Sequence, residues 1–203
     1  MTATMVRPAR RWAAGTGVVA AIVAVVVGVF GAGMAQAADK ELTWKGAFPI
    51  IGEQTVKSVI HAEIPASVKA GEKVSVPFSI DVDAGQAAGD GLRLVGIKKL
   101  SGAIKSSVTL KVSSGQSVPL PIEVPIPDTE VPAEGALTFK AEGTVEFTIP
   151  QGTPAGEATT SVDPKATSHI KTDATDPSLA EFDVELALDP PDQDTVLGKT
   201  QVG

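Results

Sequence analysis

Apolar and polar side chains alternate with a period of two in one segment after another of this chain, and only a half-buried β-strand turns such a rhythm into two distinct faces. Val74, Val76, Phe78, Ile80 and Val82 fall on one face, with Ser75, Pro77, Ser79 and Asp81 on the other. Ile104, Val108, Leu110 and Val112 alternate with Lys105, Ser107, Thr109 and Lys111, and Phe182, Val184, Leu186 and Leu188 with Glu181, Asp183 and Glu185. The longest series is Leu137, Phe139, Ala141, Val145, Phe147 and Ile149, with Gly143 as a candidate bulge. Less regular strands are expected over Leu42–Phe48, Val56–Ile64, Leu92–Ile97 and Ala166–Ile170. Beyond residue 37 no apolar series at helical spacing is long enough to predict a helix. Eight or nine short strands separated by Gly and Pro predict an all-β, antiparallel, immunoglobulin-like sandwich in a single domain over residues 38–203.

The run Val118 to Pro127 constrains the sheet further. Prolines 119, 121, 125 and 127 share one parity, so every missing N–H lies along one edge of an extended strand. That edge cannot donate to a neighbour, whereas Leu120, Ile122 and Val124 keep their donors on the other. The segment therefore reads as an edge strand protected against edge-to-edge association. A polyproline ligand is the weaker reading, because the intervening residues are aliphatic and suited to covering a core.

The first 37 residues have the order of a cleavable signal peptide. Arg7, Arg10 and Arg11 precede an apolar stretch, Val18 to Phe30, and Ala35-Gln36-Ala37 supplies a small-x-small cleavage site. An expected cut between Ala37 and Ala38 sends a 166-residue chain out of the cell, free in the medium or held at the cell wall. An uncleaved anchor is the rival reading, since Trp12 to Ala38 is uncharged and long enough to span a bilayer. Arg10-Arg11 lacks the flanking residues of a twin-arginine signal.

Cleavage removes three arginines and no acid, which leaves 14 Lys+Arg against 24 Asp+Glu and a net charge of -10. Such a surface repels nucleic acid and anionic lipid, and Arg93 is the one arginine left to clamp a phosphate. No nucleic-acid partner is expected, and no membrane partner once the signal is gone. The absence of cysteine excludes disulfides and thiolate zinc sites, so the fold must stand on its core. With no tyrosine and with Trp44 as the one tryptophan after residue 37, sugar-stacking platforms have little material.

Chemistry-bearing residues are sparse. His61 and His169 fall on the polar faces of strands, and no serine sits in Gly-x-Ser-x-Gly. Gly198-Lys199-Thr200 has Gln193 where a phosphate loop needs glycine. Carboxylates gather at Asp81 and Asp83, at Asp173 to Asp176, and at Asp189, Asp192 and Asp194. The last three are the candidate metal ligands, for calcium, an ion that accepts loose oxygen geometry from loops. No other cofactor and no catalytic residue is read. Ile64-Pro65 and Ile149-Pro150 are each followed after four residues by Ala-Gly-Glu, which reads as one strand-ending turn used twice.

The segment Trp44-Lys45-Gly46-Ala47-Phe48-Pro49-Ile50-Ile51-Gly52-Glu53-Gln54, followed by alternating residues to Ile64-Pro65 and Gly71-Glu72, resembles the start of a family of secreted actinobacterial proteins of unknown function. The ending Gln193-Asp194-Thr195-Val196-Leu197 resembles that family's close. Its members usually carry cysteine at the position of Gly46 and near Leu188, and both are missing here. The resemblance implies a secreted or envelope β-sandwich and supplies no catalytic residue. Together these readings point to a non-enzymatic secreted or envelope-associated module, structural or binding a protein or cell-wall partner. A hydrolase with residues dispersed among its loops and a calcium-dependent adhesion module are the alternatives. Intact mass of the exported protein should correspond to a chain beginning at Ala38. A species retaining Met1 would show that the signal stays attached.

Overall fold

The computed structural model describes residues 36–203, which form ten strands and two short helices. The signal segment expected over residues 1–37 lies outside the described residues, apart from Gln36 and Ala37, with which the first strand opens. The elements are β1 (Gln36–Phe48), β2 (Gly52–Ile64), β3 (Ser67–Val68), β4 (Lys73–Ala84), α1 (Gly85–Leu94), β5 (Lys99–Val112) and β6 (Ser117–Glu130). They continue with β7 (Leu137–Thr148), β8 (Gly156–Thr172), α2 (Pro177–Ala180), β9 (Glu181–Leu188) and β10 (Val196–Val202). Alternation translates directly into burial. Along β4 every second residue from Val74 to Ala84 is buried, and along β6 every second residue from Val118 to Ile126.

Backbone pairing runs through one open sheet in the order β6, β5, β8, β9, β1, β2, β4, β7, each strand antiparallel to the next. The long strand β8 pairs with β5 on one edge, while its other edge is shared between β10 over residues 156–161 and β9 over residues 165–171. The two-residue β3 adds to β10 in parallel. The inward faces share one apolar core, with Leu42, Val112, Val124, Ile149, Val184 and Val202 among its most enclosed side chains.

Two places decide how the sheet is arranged. At one, β1 and β9 pair over only three residues, Trp44 with Leu188, Lys45 with Ala187 and Gly46 with Leu186. A β-carbon on Gly46 would sit 2.6 Å from Leu186 Cδ2 and 2.8 Å from the Glu185 carbonyl oxygen, so only glycine admits β9 this closely. At the other, the terminal strands β6 and β7 lie against one another but do not pair. The expected edge strand is the reason. β6 pairs with β5 alone, through Val118, Leu120, Ile122 and Val124, and turns its proline edge away from β5.

Several expectations from the sequence are corrected. Residues 92–97 are not a strand but the end of α1 and the turn after it. With three glycines in ten residues, α1 has low intrinsic propensity and shows only Ala88 and Leu92 as a helical apolar pair. It is held by Arg93, whose guanidinium donates to the carbonyls of Pro132 at 2.7 Å and Gly135 at 3.1 Å. Gly143 is not a bulge, since β4 and β7 pair in unbroken register past Phe78 opposite Gly143. Its missing side chain instead faces the ring of Pro125 across the unpaired seam, 3.5 Å from where a β-carbon would lie. β10 and the first half of β8 were not expected, because Thr and Gly interrupt their alternation, nor was β3, whose two residues are too few to show one.

Gly46→Ala should lower stability by about 1–3 kcal/mol, the range for overpacking a tight contact. Urea denaturation would read this as a lower midpoint at unchanged slope.

Candidate functional site

The inward residues that the alternation predicts do not fill the interior. A cavity of about 100 Å³ lies among β1, β2, β4, β5, β6, β7, β8 and β9, lined by side chains such as Val56, Ile80, Ile104, Phe139, Ile170 and Val184. Its origin is local: at positions where the parity calls for a large apolar residue the chain carries Ser58, Ser106, Ala166 and Ser168, all of which line it. Protein interiors pack as densely as organic crystals, so a void of this size is uncommon. Left empty, 100 Å³ costs about 2 kcal/mol.

The cavity wall is chemically quiet. No charged side chain among the described residues lines it. The Trp44 indole N–H donates to Ser58 Oγ at 2.9 Å, and Ser106 Oγ donates to the Lys165 carbonyl at 2.9 Å, so these polar groups are already satisfied. A cavity with walls of this kind stays dry and takes apolar atoms, as an engineered apolar cavity of roughly 150 Å³ does for benzene.

One end of the cavity is covered by the β1–β2 turn, Phe48 to Ile51, and by α1 through Ala88, Gly91 and Leu92. Gly91 makes the closure possible, because a β-carbon there would lie 2.7 Å from Ile51 Cγ2. Toward the other end, Phe78 and Ile122 also line a second cavity of about 40 Å³. Thr160 and Thr200 project into this smaller space, and the Thr200 hydroxyl is buried without a hydrogen-bond partner. The volume suffices for a single water to satisfy it.

Both histidines are on the outer, polar surface of their strands. His61 on β2 is held between Asp39 of β1, 2.7 Å from Nδ1, and Asp81 of β4, 3.0 Å from Nε2. His169 on β8 has Asp183 2.7 Å from Nδ1 and Glu181 2.8 Å from Nε2, both from β9. With a carboxylate on each ring nitrogen, neither imidazole has a free nitrogen to act as a base, and each ties neighbouring strands together instead. The hydrogen bonds to Asp39 and then Asp81 raise the His61 pKa above its ordinary value of 6.5.

The acidic clusters are occupied in the same way. Asp83 accepts from the Gly85 N–H at the start of α1. Asp173 accepts from the Lys98 and Lys99 N–H groups, which lowers its pKa, and Asp176 caps α2 through the Ser178 N–H. Of the three candidate calcium ligands, Asp189, Asp192 and Asp194, all exposed, Asp194 binds the Lys40 ammonium at 2.7 Å and the Val196 N–H at 3.0 Å. The Lys40 contact, followed by the Val196 bond, holds its carboxyl below the usual carboxylate range. The loop is fastened by Gln193, whose amide spans the Thr43 backbone at 2.8 and 2.7 Å. No group of three or more His, Cys, Asp or Glu among the described residues is arranged to hold a metal ion.

The cavity was not anticipated from the sequence. Its signal was present, however, as Ser106 between Ile104 and Val108 and Ser168 between Ala166 and Ile170, small residues inside apolar series. Among known proteins, the model of a family of unknown function, DUF6801, matches residues 43–198. No curated protein and no solved structure matches the chain.

A raised pKa in the fold means that His61 contributes stability below pH 6.5, and that this contribution is lost as pH rises through the folded value. The stability difference between the parent chain and His61→Gln should therefore be largest near pH 5 to 6 and vanish on the alkaline side. Thermal melts of both across pH 5 to 9 would check this. A difference that grows with pH would reverse the sign.

Proposed function

The chain belongs to DUF6801, a family with no assigned function, and we propose from its interior that it is an exported, non-enzymatic module that binds a small apolar ligand. One observation carries the reading: a cavity of about 100 Å³ walled almost wholly by apolar side chains, with the Trp44, Ser58 and Ser106 polar groups already paired, inside an otherwise enclosed core. Such a wall offers shape and dispersion contacts and no acid, base or nucleophile. Export is supported by the order of charge, apolar stretch and Ala-x-Ala in residues 1–37. The layered, immunoglobulin-like arrangement is part of the proposal, supported by the common core between the β1–β2–β4–β7 and β6–β5–β8–β9 halves.

A binding role is favoured over the alternatives by where the polar groups are. The histidines a hydrolase would recruit are capped on both nitrogens, and Asp194, which a calcium loop would need, is occupied by Lys40.

Benzene, a probe matched to the cavity in size, should raise the melting temperature in a saturable manner. At a hundredfold excess over its dissociation constant the gain is about 2.7 kcal/mol. Ala166→Leu, which fills the space from β8, should abolish the effect. A melting temperature indifferent to benzene in the parent chain would refute the reading.

A further inference from the structure

The cavity and its cover together suggest the shape of what enters. Large exposed apolar side chains are few among the described residues: Ile50, Leu94, Val95 and Val196. Three of these four belong to the elements that cover the larger cavity. Ile50 is in the β1–β2 turn, next to the Ile51 that packs on Gly91, while Leu94 and Val95 end α1 one turn beyond Gly91. Leu94 is 81% exposed, and with Ile50 and Val95 it concentrates the exposed large apolar side chains at the cavity's cover. An apolar path thus leads from solvent at Ile50, past the Ile51–Gly91 contact, to the space beneath Ala88 and Leu92, with Leu94 and Val95 following Leu92 in the chain.

Resting on the binding reading above, we propose that the site takes the end of a single unbranched alkyl or acyl chain, entering between the β1–β2 turn and α1. The chain end occupies the cavity and its outer methylenes lie on Ile50, Leu94 and Val95. Dimensions select a chain. A cavity of about 100 Å³ has no room for a branched or multi-ring ligand, while the rim adds apolar surface in line with it. Charge selects an uncharged inserted end, because no cation lines either cavity to receive a carboxylate. The remainder of the ligand stays in water outside the cover, where polarity is no obstacle. The cover can yield, since α1 contains three glycines and is anchored chiefly through Arg93 to the loop after β6. The acidic character of the chain, with a sequence pI of about 4.8, favours a soluble amphiphile over an anionic bilayer as the source.

Trp44 lines the cavity and reports on it. In the full chain carrying Trp12→Phe, octyl glucoside below its micelle concentration should change Trp44 emission saturably, and glucose should not. Ala166→Leu should remove the response. Leu94→Ser with Val95→Ser, both exposed and outside the cavity lining, should weaken octyl glucoside binding roughly fivefold or more while leaving benzene binding unchanged, since only the longer ligand uses the rim. Vesicles of brominated, zwitterionic phosphatidylcholine distinguish the sources. Quenching of Trp44 by the vesicles supports a chain donated from a bilayer, and a response to octyl glucoside alone supports a soluble donor. If benzene stabilises the protein but octyl glucoside and vesicles leave Trp44 unchanged, the chain is wrong and the apolar site stands. Failure of benzene as well removes both. Octyl glucoside binding that ignores the rim substitutions overturns the entry route.

Discussion

Four missing N–H groups along one edge of β6 set the limits of this sheet. Prolines 119, 121, 125 and 127 leave β6 a single edge that can pair, and β5 takes it. Without them, β6 and β7 would be placed to zip together, closing the pairing into a ring. With them, the two strands meet through side chains such as Pro125 against Gly143, and the sheet keeps an open seam opposite its three-residue β1–β9 junction. The core is therefore enclosed by two unequal joints, one hydrogen-bonded but short and one packed but unbonded. Interior space follows where several inward side chains, Ser58, Ser106, Ala166 and Ser168, are small.

Much of this was legible in the sequence because its physical basis is local. Strand identity needs only a rhythm of two, so β4, β5, β7 and β9 could be read from residues such as Val74 to Val82 without knowing what they touch. The proline edge was legible for the same reason, as the loss of a donor belongs to the residue itself. What escaped depends on partners distant in the chain. α1 has three glycines and little propensity, and it stands because Arg93 reaches the carbonyls of residues 132 and 135. The second half of the sheet hinges on Gly46, whose role is visible only once Leu186 is beside it. The cavity is the extreme case, a property of the space between residues from eight strands.

The polar surface shows how a chain without cysteine secures its strands. Asp39, His61 and Asp81 cross β1, β2 and β4, and Asp183 and His169 join β9 to β8. Ser107, Thr109 and Asp163 link β5 to β8 in the same manner. Exposed pairs are individually weak, and their value lies in fixing register, since a slip of one residue would turn apolar faces outward. The β1–β9 junction, at Gly46 and Leu186, relies on close backbone approach.

Under the proposed export, the start of β1 has a consequence for the order of events. Gln36 and Ala37 are already paired with Ile64 and Glu63 of β2, and Ala38 with Ala62. A peptidase requires its substrate extended and unpaired, so a bond between residues 37 and 38 is a poor target once β1 has found β2. Under the proposed processing, scission precedes closure of this hairpin. The strand then begins at Ala38, and Leu42 and Trp44, its first deeply buried residues, lie far enough along to hold the new terminus in place. Under that processing, maturation and folding compete for one short stretch of backbone, and their order decides which of them claims it.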